Sequence, residues 1–260
     1  KLLRFASTKT ESDNQTRSIK SYIDDSKKSQ DKIYYLLADN YQSAKSNPHL
    51  EQLEKHDIEV LFFTDRIDPW MAEHLKQVDG KELQDVGRGN ISLPKEKEQD
   101  QEKVNSKHAD FIHKMKSALN DRVDVINISQ RLVESAACVV PGDNDLPPQM
   151  KRMLEASGQQ LPETKPILEI NADHDLINEL QNTKNHDFFN SLSNVILDHA
   201  LISDGEQLQN PSDYVKRVSS LLINKSSPKP SSKKKISKKK VTKKKASKKN
   251  DNTEIKSLKY

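Results

Sequence analysis

The sequence predicts an α/β (mixed α+β) protein, on three observations. Two short apolar strand patterns separated by a helix-length link occur early in the chain, a second set of strand patterns follows, and the folded part closes on two amphipathic helices. A lysine-rich end of quite different composition comes after them.

Lys1-Leu2-Leu3-Arg4-Phe5 reads as the middle of an amphipathic element, and with no initial methionine the sequence is expected to begin inside a larger protein. Ile33-Tyr34-Tyr35-Leu36-Leu37-Ala38 and Ile58-Glu59-Val60-Leu61-Phe62-Phe63 are apolar runs rich in strand formers. Between them Pro48 can open a helix with Leu50 and Leu53 on one side, a link long enough to join parallel neighbours as a βαβ unit. Asp65 is the expected cap of a short helix carrying Trp70, Met71 and Leu75, which ends before the turn signal Asp79-Gly80.

From Pro94 to Gln101 almost every residue is charged or an amide, while Val104, Phe111, Met115, Ala118 and Leu119 add an apolar stripe. A solvent-exposed connecting helix and a domain joint near residue 108 are expected there. Val123 to Ile128 alternates, Ala136 to Val140 is continuous, and Pro166 to Ile170 is a third strand candidate. Leu146, Met150, Met153 and Leu154 fall at i, i+4, i+7 and i+8, on or just before a helix opened by Pro147-Pro148 and closed by Gly158. Phe188, Leu192, Val195, Ile196 and Ala200 mark a longer helix with Asn185 as cap and Gly205 as stop. Asn210, Pro211 and Asp213 start the last one, whose stripe is Tyr214, Val218, Leu221 and Leu222. Two helices alone cannot cover both stripes, so they pack either back on their own chain or on a partner surface.

Composition narrows the function classes. Hydrophobic residues at 33% against charged residues at 32% make a lean core behind a charged surface, and no apolar run is long enough for a membrane helix. A cytoplasmic protein without a membrane span is expected. Cys138 is the single cysteine, which excludes an intrachain disulfide and a cysteine-based zinc site and suits a buried apolar position better than a catalytic thiol. The eight histidines show no metal-binding spacing. Gly87-Arg88-Gly89 lacks the third glycine of a dinucleotide loop and reads as a mobile loop, and neither a P-loop nor a nucleophile elbow occurs. No catalytic residue is nominated.

Residues 225–260 hold 15 lysines against Asp251 and Glu254, so the chain's formal +4 conceals a basic end and a net acidic remainder. Lysine triplets repeat every five residues from Lys233 to Ser247, at Lys233, Lys234, Lys235, Lys238, Lys239, Lys240, Lys243, Lys244 and Lys245. Like charges repel and too little apolar surface offsets chain ordering, so a disordered polycation is expected. Such an end could bind nucleic acid or an acidic surface, and without interleaved aromatics it would not read bases.

Several ordered segments carry a resemblance. Lys1 to Thr8, Lys32-Ile33-Tyr34-Tyr35, Ser46 to Glu51, Glu59-Val60-Leu61 leading to Thr64-Asp65-Arg66-Ile67-Asp68, Arg131-Leu132, Gln149-Met150, Ala156 to Gln159, Leu168 to Asn171 and Leu221-Leu222 resemble the bacterial ninety-kilodalton heat-shock chaperones of the HtpG type, over about residues 1 to 224. The resemblance implies a stress-response chaperone that is ATP-dependent at full length, with ATP and magnesium held in an N-terminal domain that this chain lacks. Residues 1–108 would be the end of the middle domain, 109–224 the C-terminal dimerisation domain and 225–260 the disordered tail. By the same analogy Trp70, Met71 and Glu73, together with Leu146, Met150, Met153 and Leu154, contact partly unfolded client proteins. Phe188, Leu192, Val195, Ile196, Tyr214, Val218, Leu221 and Leu222 would form a homodimer interface. Pro69, Glu73 and the lysine end depart from the family pattern.

Overall fold

The computed structural model describes residues 3–89, 101–142, 145–162 and 164–226. Its first half is a six-stranded sheet built from β1 (Arg4–Ser7), β2 (Arg17–Ser18), β3 (Lys32–Leu37), β4 (Leu61–Phe63), β5 (Gln77–Val78) and β6 (Lys81–Asp85), in the order β2-β1-β4-β3-β6-β5. The central strands β3 and β4 run parallel, with Tyr35 opposite Leu61 and Leu37 opposite Phe63. This is the βαβ unit read from the sequence. Alternation along β3 sends Tyr34 and Leu36 to one face and Ile33 and Tyr35 to the other, and all four are buried. The first face is covered by α2 (Tyr41–Lys45) and α3 (Glu51–Lys55), the second by α1 (Ile19–Asp25) and α4 (Asp68–His74), which makes three layers.

Local chemistry shifts some expected boundaries. Pro48 opens only a single 3-10 turn, Pro48–Leu50, because the Asn47 side chain accepts the His49 N–H and closes the chain into a tight turn before α3. Leu50 and Leu53 are nevertheless both buried. Asp65 does not cap α4. The roles are reversed: the helix starts at Asp68, with Pro69 in its first turn, and the Asp68 carboxylate accepts the Asp65 N–H at 2.8 Å. Asp79 and Gly80 both have positive φ, 49° and 79°, and form the two-residue loop of a β5–β6 hairpin. That hairpin escapes a reading of periodicity because Lys81-Glu82-Leu83-Gln84-Asp85 contains one apolar residue.

The second half packs α5 (Gln101–Lys107), α6 (Ala109–Ala118), α7 (Pro148–Ala156), α8 (Asp175–Asn182), α9 (His186–Ser203) and α10 (Pro211–Ser226) around a three-stranded sheet. Its strands β7 (Ile126–Ile128), β8 (Ala137–Val140) and β9 (Ile167–Ile170) lie in the order β7-β9-β8, with β7 parallel and β8 antiparallel to β9. All three strand candidates of this region are therefore real. The core gathers Met115, Leu119, Ile126, Val139, Leu168, Ile170, Ile177, Phe189, Ile196 and Leu197, and each side chain buried in it is worth roughly 1.5–3 kcal/mol. Met115 and Leu119 are fully buried, so α6 is a core helix on one face and not a solvent-exposed connector. His108, where a joint was expected, precedes α6 by one residue, and α5 already bonds to β7 through Asn105 Oδ1, which accepts the Ile128 N–H at 2.9 Å.

Helix signals at the end of the chain hold. Asn185 caps α9 by accepting the Asp187 and Phe188 N–H groups, Gly205 stops it at φ +82°, and Asn210 and Asp213 bond reciprocally at the start of α10. The segment Asn90 to Asp100 and the lysine repeats lie outside the described residues.

Candidate functional site

Exposed apolar side chains on an otherwise closed core are concentrated on a few helices. Helix α4 turns Met71, Ala72 and Leu75 inward onto Phe5, Tyr35 and Phe63, and presents Ile67 and Trp70, 70% and 41% exposed, on its outer side with Glu73 and His74. His74 Nδ1 lies 2.8 Å from the Trp70 carbonyl and ties down the last turn. Trp70 is thus a surface residue, while Met71 is half-buried beneath it. Ile67 was missed by sequence reading, although an isoleucine just before a proline-led helix was its signal.

Helix α7 is placed differently. Met150 is buried, and Leu146, Met153 and Leu154 are half-buried, so this stripe packs largely inward. Arg152 pins the helix by donating from Nη1 to the Gly205 carbonyl at 2.9 Å and pairing with Asp39, and Lys151 meets Asp145 at 2.7 Å.

The terminal pair separates into two populations. Leu192, Val195 and Ile196, expected at an intermolecular face, are at most 5% exposed and buried within their own chain. A helix lying over a three-stranded sheet covers that sheet with these side chains. Phe188, Tyr214, Val218 and Leu221 are half-buried, and the Tyr214 hydroxyl meets His199 Nε2 at 3.0 Å. Of the interface set only Leu222 is exposed, at 62%, and it is joined by Val215 at 58%, Ile223 at 66% and Ile202 at 46%, none of which the sequence stripe included. Val215 and Leu222 stand seven apart, one helical face round from Tyr214, Val218 and Leu221.

A buried polar joint ties the two halves together. Arg131, 5% exposed, donates from Nε to Glu169 Oε2 at 3.0 Å, from Nη1 to the Val86 carbonyl at 3.0 Å, and from Nη2 to the Gly89 carbonyl. Its Nη1 also lies 3.3 Å from His49 Nδ1, and since a guanidinium only donates, Nδ1 accepts and Nε2 carries the hydrogen given to the Val139 carbonyl at 3.1 Å. Beside it the Glu51 carboxylate accepts the N–H groups of Val133, Glu134 and Ser135 at 2.5, 2.7 and 3.0 Å. Burial opposes that charge, but bonds from Ser135 and from these three N–H groups outweigh it and hold the Glu51 carboxyl below its usual range. Gly87-Arg88-Gly89 is consequently anchored at several points: Arg88 donates to the Asp145 carbonyl at 2.6 Å and Gly87 N–H to Asp85 at 2.9 Å.

Two carboxyls in these regions titrate unusually. Burial pushes Asp68 and Asp85 up to about 6 from an ordinary 3.8, with the Asp65 charge adding to the first and Asp204 to the second. A raised acid binds its proton in the folded chain where the unfolded chain has released it. Its contribution therefore weakens stability as pH rises from about 4 to about 6. Asp68→Asn, which keeps an acceptor for the Asp65 N–H, is expected to raise the unfolding free energy at pH 8 by up to about 3 kcal/mol, read as a higher urea midpoint, and to leave it unchanged at pH 4. An equal change at both pH values would assign the effect to packing.

Burial raises the Cys138 thiol well above its usual range, and no group of three His, Cys, Asp or Glu among the described residues is placed to hold a metal ion. The Gly87–Gly89 turn is occupied by Arg88 and Arg131 contacts. No helix among the described residues is long and apolar enough to cross a membrane.

Residues 1–255 match the family model described as Hsp90 protein. Among curated relatives, the chain is 42% identical over 227 residues to the chaperone protein HtpG of Bordetella avium, a match covering 86% of this chain and 36% of that one. It is 39% identical over 227 residues to that of Colwellia psychrerythraea, covering 86% and 35%, and 40% identical over 230 residues to that of Pseudoalteromonas translucida, covering 87% and 36%. The chain spans about a third of the length of the curated relatives it matches.

Proposed function

Since this chain belongs to the Hsp90 protein family, we propose that it is the client-contacting and dimer-forming part of a molecular chaperone. One observation carries the reading: large apolar side chains stand exposed on α4 and on α10, each on a helix whose other side is fixed to a closed core. A chaperone surface needs apolar contact that is accessible without unfolding, and broad specificity follows from side chains that make few directional bonds. Ile67, Trp70, Met71 and Glu73 form the client surface in this reading, with Met153 and Leu154 at the accessible edge of α7. Val215, Leu222 and Ile223 face a second copy, supported by the half-buried Tyr214, Val218 and Leu221. Residues 1–89 belong to the middle domain and 101–226 to the dimerisation domain, with ATP-driven rearrangement left to other parts of the full-length relatives.

The test uses the whole chain with the double change Val215→Asp and Leu222→Asp. Light scattering across a dilution series is expected to give a dimer for the native chain and a monomer for the variant. Ile67→Ser with Trp70→Ser is expected to keep the dimer and lose most of the suppression of client aggregation. A native chain that is monomeric at high concentration, or suppression untouched by the α4 changes, would sink the reading. The repeated lysines support a second reading as a polyanion-binding end, for which affinity would fall steeply with salt.

A further inference from the structure

We propose that the pocket enclosed by α6, the start of α9 and the middle of α10 binds a small dianion, a phosphate ester or a dicarboxylate. The pocket has a volume of about 350 Å³, at the small end of ligand sites. Three helices each bring one basic group to it, Lys114 from α6, His186 from α9 and Arg217 from α10, and no aspartate or glutamate among the described residues lines it. Residues 1–224 are net acidic, so an acid-free concentration of basic groups runs against the character of the surrounding surface.

The partners of these groups sharpen the argument. The Lys114 ammonium stands 3.9 Å over the Phe189 ring and forms no ion pair with any described residue. Arg217 reaches Asp198 at 3.3 Å through Nη1 alone, and that carboxylate is already held by Arg122 at 2.5 Å, so one negative charge is shared between two guanidinium groups. Asn194 is a fixed wall, its amide donating to the Ala118 and Asn190 carbonyls at 3.2 and 2.9 Å and its oxygen accepting from Arg122 at 2.8 Å. The exposed Asn190 lines the same pocket, and its side chain makes no such bond with any described residue. Lys114 and Arg217 line one pocket, with only the carboxylate that Arg217 shares with Arg122 set against them, and an anion with two charges can accept several charge-assisted hydrogen bonds there at once. Phe189 is 1% exposed and offers no face for a base to stack on, which favours a compact acid over a nucleic-acid strand.

The experiment titrates the full-length isotope-labelled chain with pyrophosphate, and separately with succinate, against sodium chloride at constant ionic strength. It follows the His186 ring and Asn190 side-chain amide signals by NMR. Saturating shifts are expected in the native chain, with affinity about tenfold weaker in Lys114→Glu, the cost of one charge-assisted contact. Lys114 makes no hydrogen bond with any described residue, and Lys114→Gln, an uncharged second variant, is expected to fall between the two. The lysine-rich end is identical in all three proteins and cancels in the comparison. Saturation by pyrophosphate alone identifies a phosphate group as the ligand chemistry, and by succinate alone a dicarboxylate. Shifts that chloride reproduces, equal affinity in Lys114→Glu, or shifts that follow protein concentration in place of added anion would overturn the proposal.

Discussion

Arg131→Met is expected to destabilise the chain by about 3–5 kcal/mol, read as a lower urea midpoint, because it leaves Glu169 buried without its countercharge. The same change strands the Val86 and Gly89 carbonyls and removes the donor to His49 Nδ1, so the loss reaches both halves of the molecule. The double variant Arg131→Met with Glu169→Leu separates the causes. If the isolated carboxylate dominates, the double variant recovers much of the loss, whereas if the carbonyl bonds dominate it does not. A single variant within about 0.5 kcal/mol of the native chain would show that water replaces the guanidinium, and the joint would then be much looser than its burial implies.

Phe63→Ala is expected to cost a similar amount, about 3–5 kcal/mol, for a different reason. Phe63 is stacked between Phe5 and Tyr35 with ring centroids 4.5 Å from each, at the centre of the face on which α4 rests. Removing it opens a cavity under Met71 and Leu75 and forfeits two aromatic pairs worth about 0.5–1.5 kcal/mol each. Trp70 is the only tryptophan, so its fluorescence reports α4 directly. A loosened helix should shift the emission before global unfolding begins. A single coincident transition with unchanged native emission would mean that α4 is held by Asp68 and Pro69 and not by the stack.

Much of this architecture was legible in the sequence because its signals are local. The alternation of Ile33, Tyr34, Tyr35 and Leu36 between two buried faces, the caps at Asn185 and Asn210 and the stop at Gly205 each act within a few residues. The surfaces were harder to read for a reason of geometry. Periodicity identifies an apolar stripe without saying what covers it, and Leu192, Val195 and Ile196 went to the core while Val215 and Ile223 stayed outside. Arg131 drew notice only as part of a family resemblance, since its partners Val86, Gly89 and Glu169 lie about 40 residues away on either side. Glu51 likewise finds the N–H groups of Val133 to Ser135 more than 80 positions along the chain, a pairing that no local pattern announces.

The larger sheet ends on both sides in strands of two residues, Arg17–Ser18 and Gln77–Val78. At one of those margins the Arg17 side chain is clamped by Glu59 and Asp25. Margins this short offer an extended polypeptide almost no backbone donors and acceptors to align with, so an unfolded chain gains little by adding to this sheet as a strand. Recognition around this sheet in the proposed chaperone then falls to the side chains borne by α4, which impose no register on what they hold. A chaperone of the proposed kind is in this way kept from templating, on this sheet, the chains it holds.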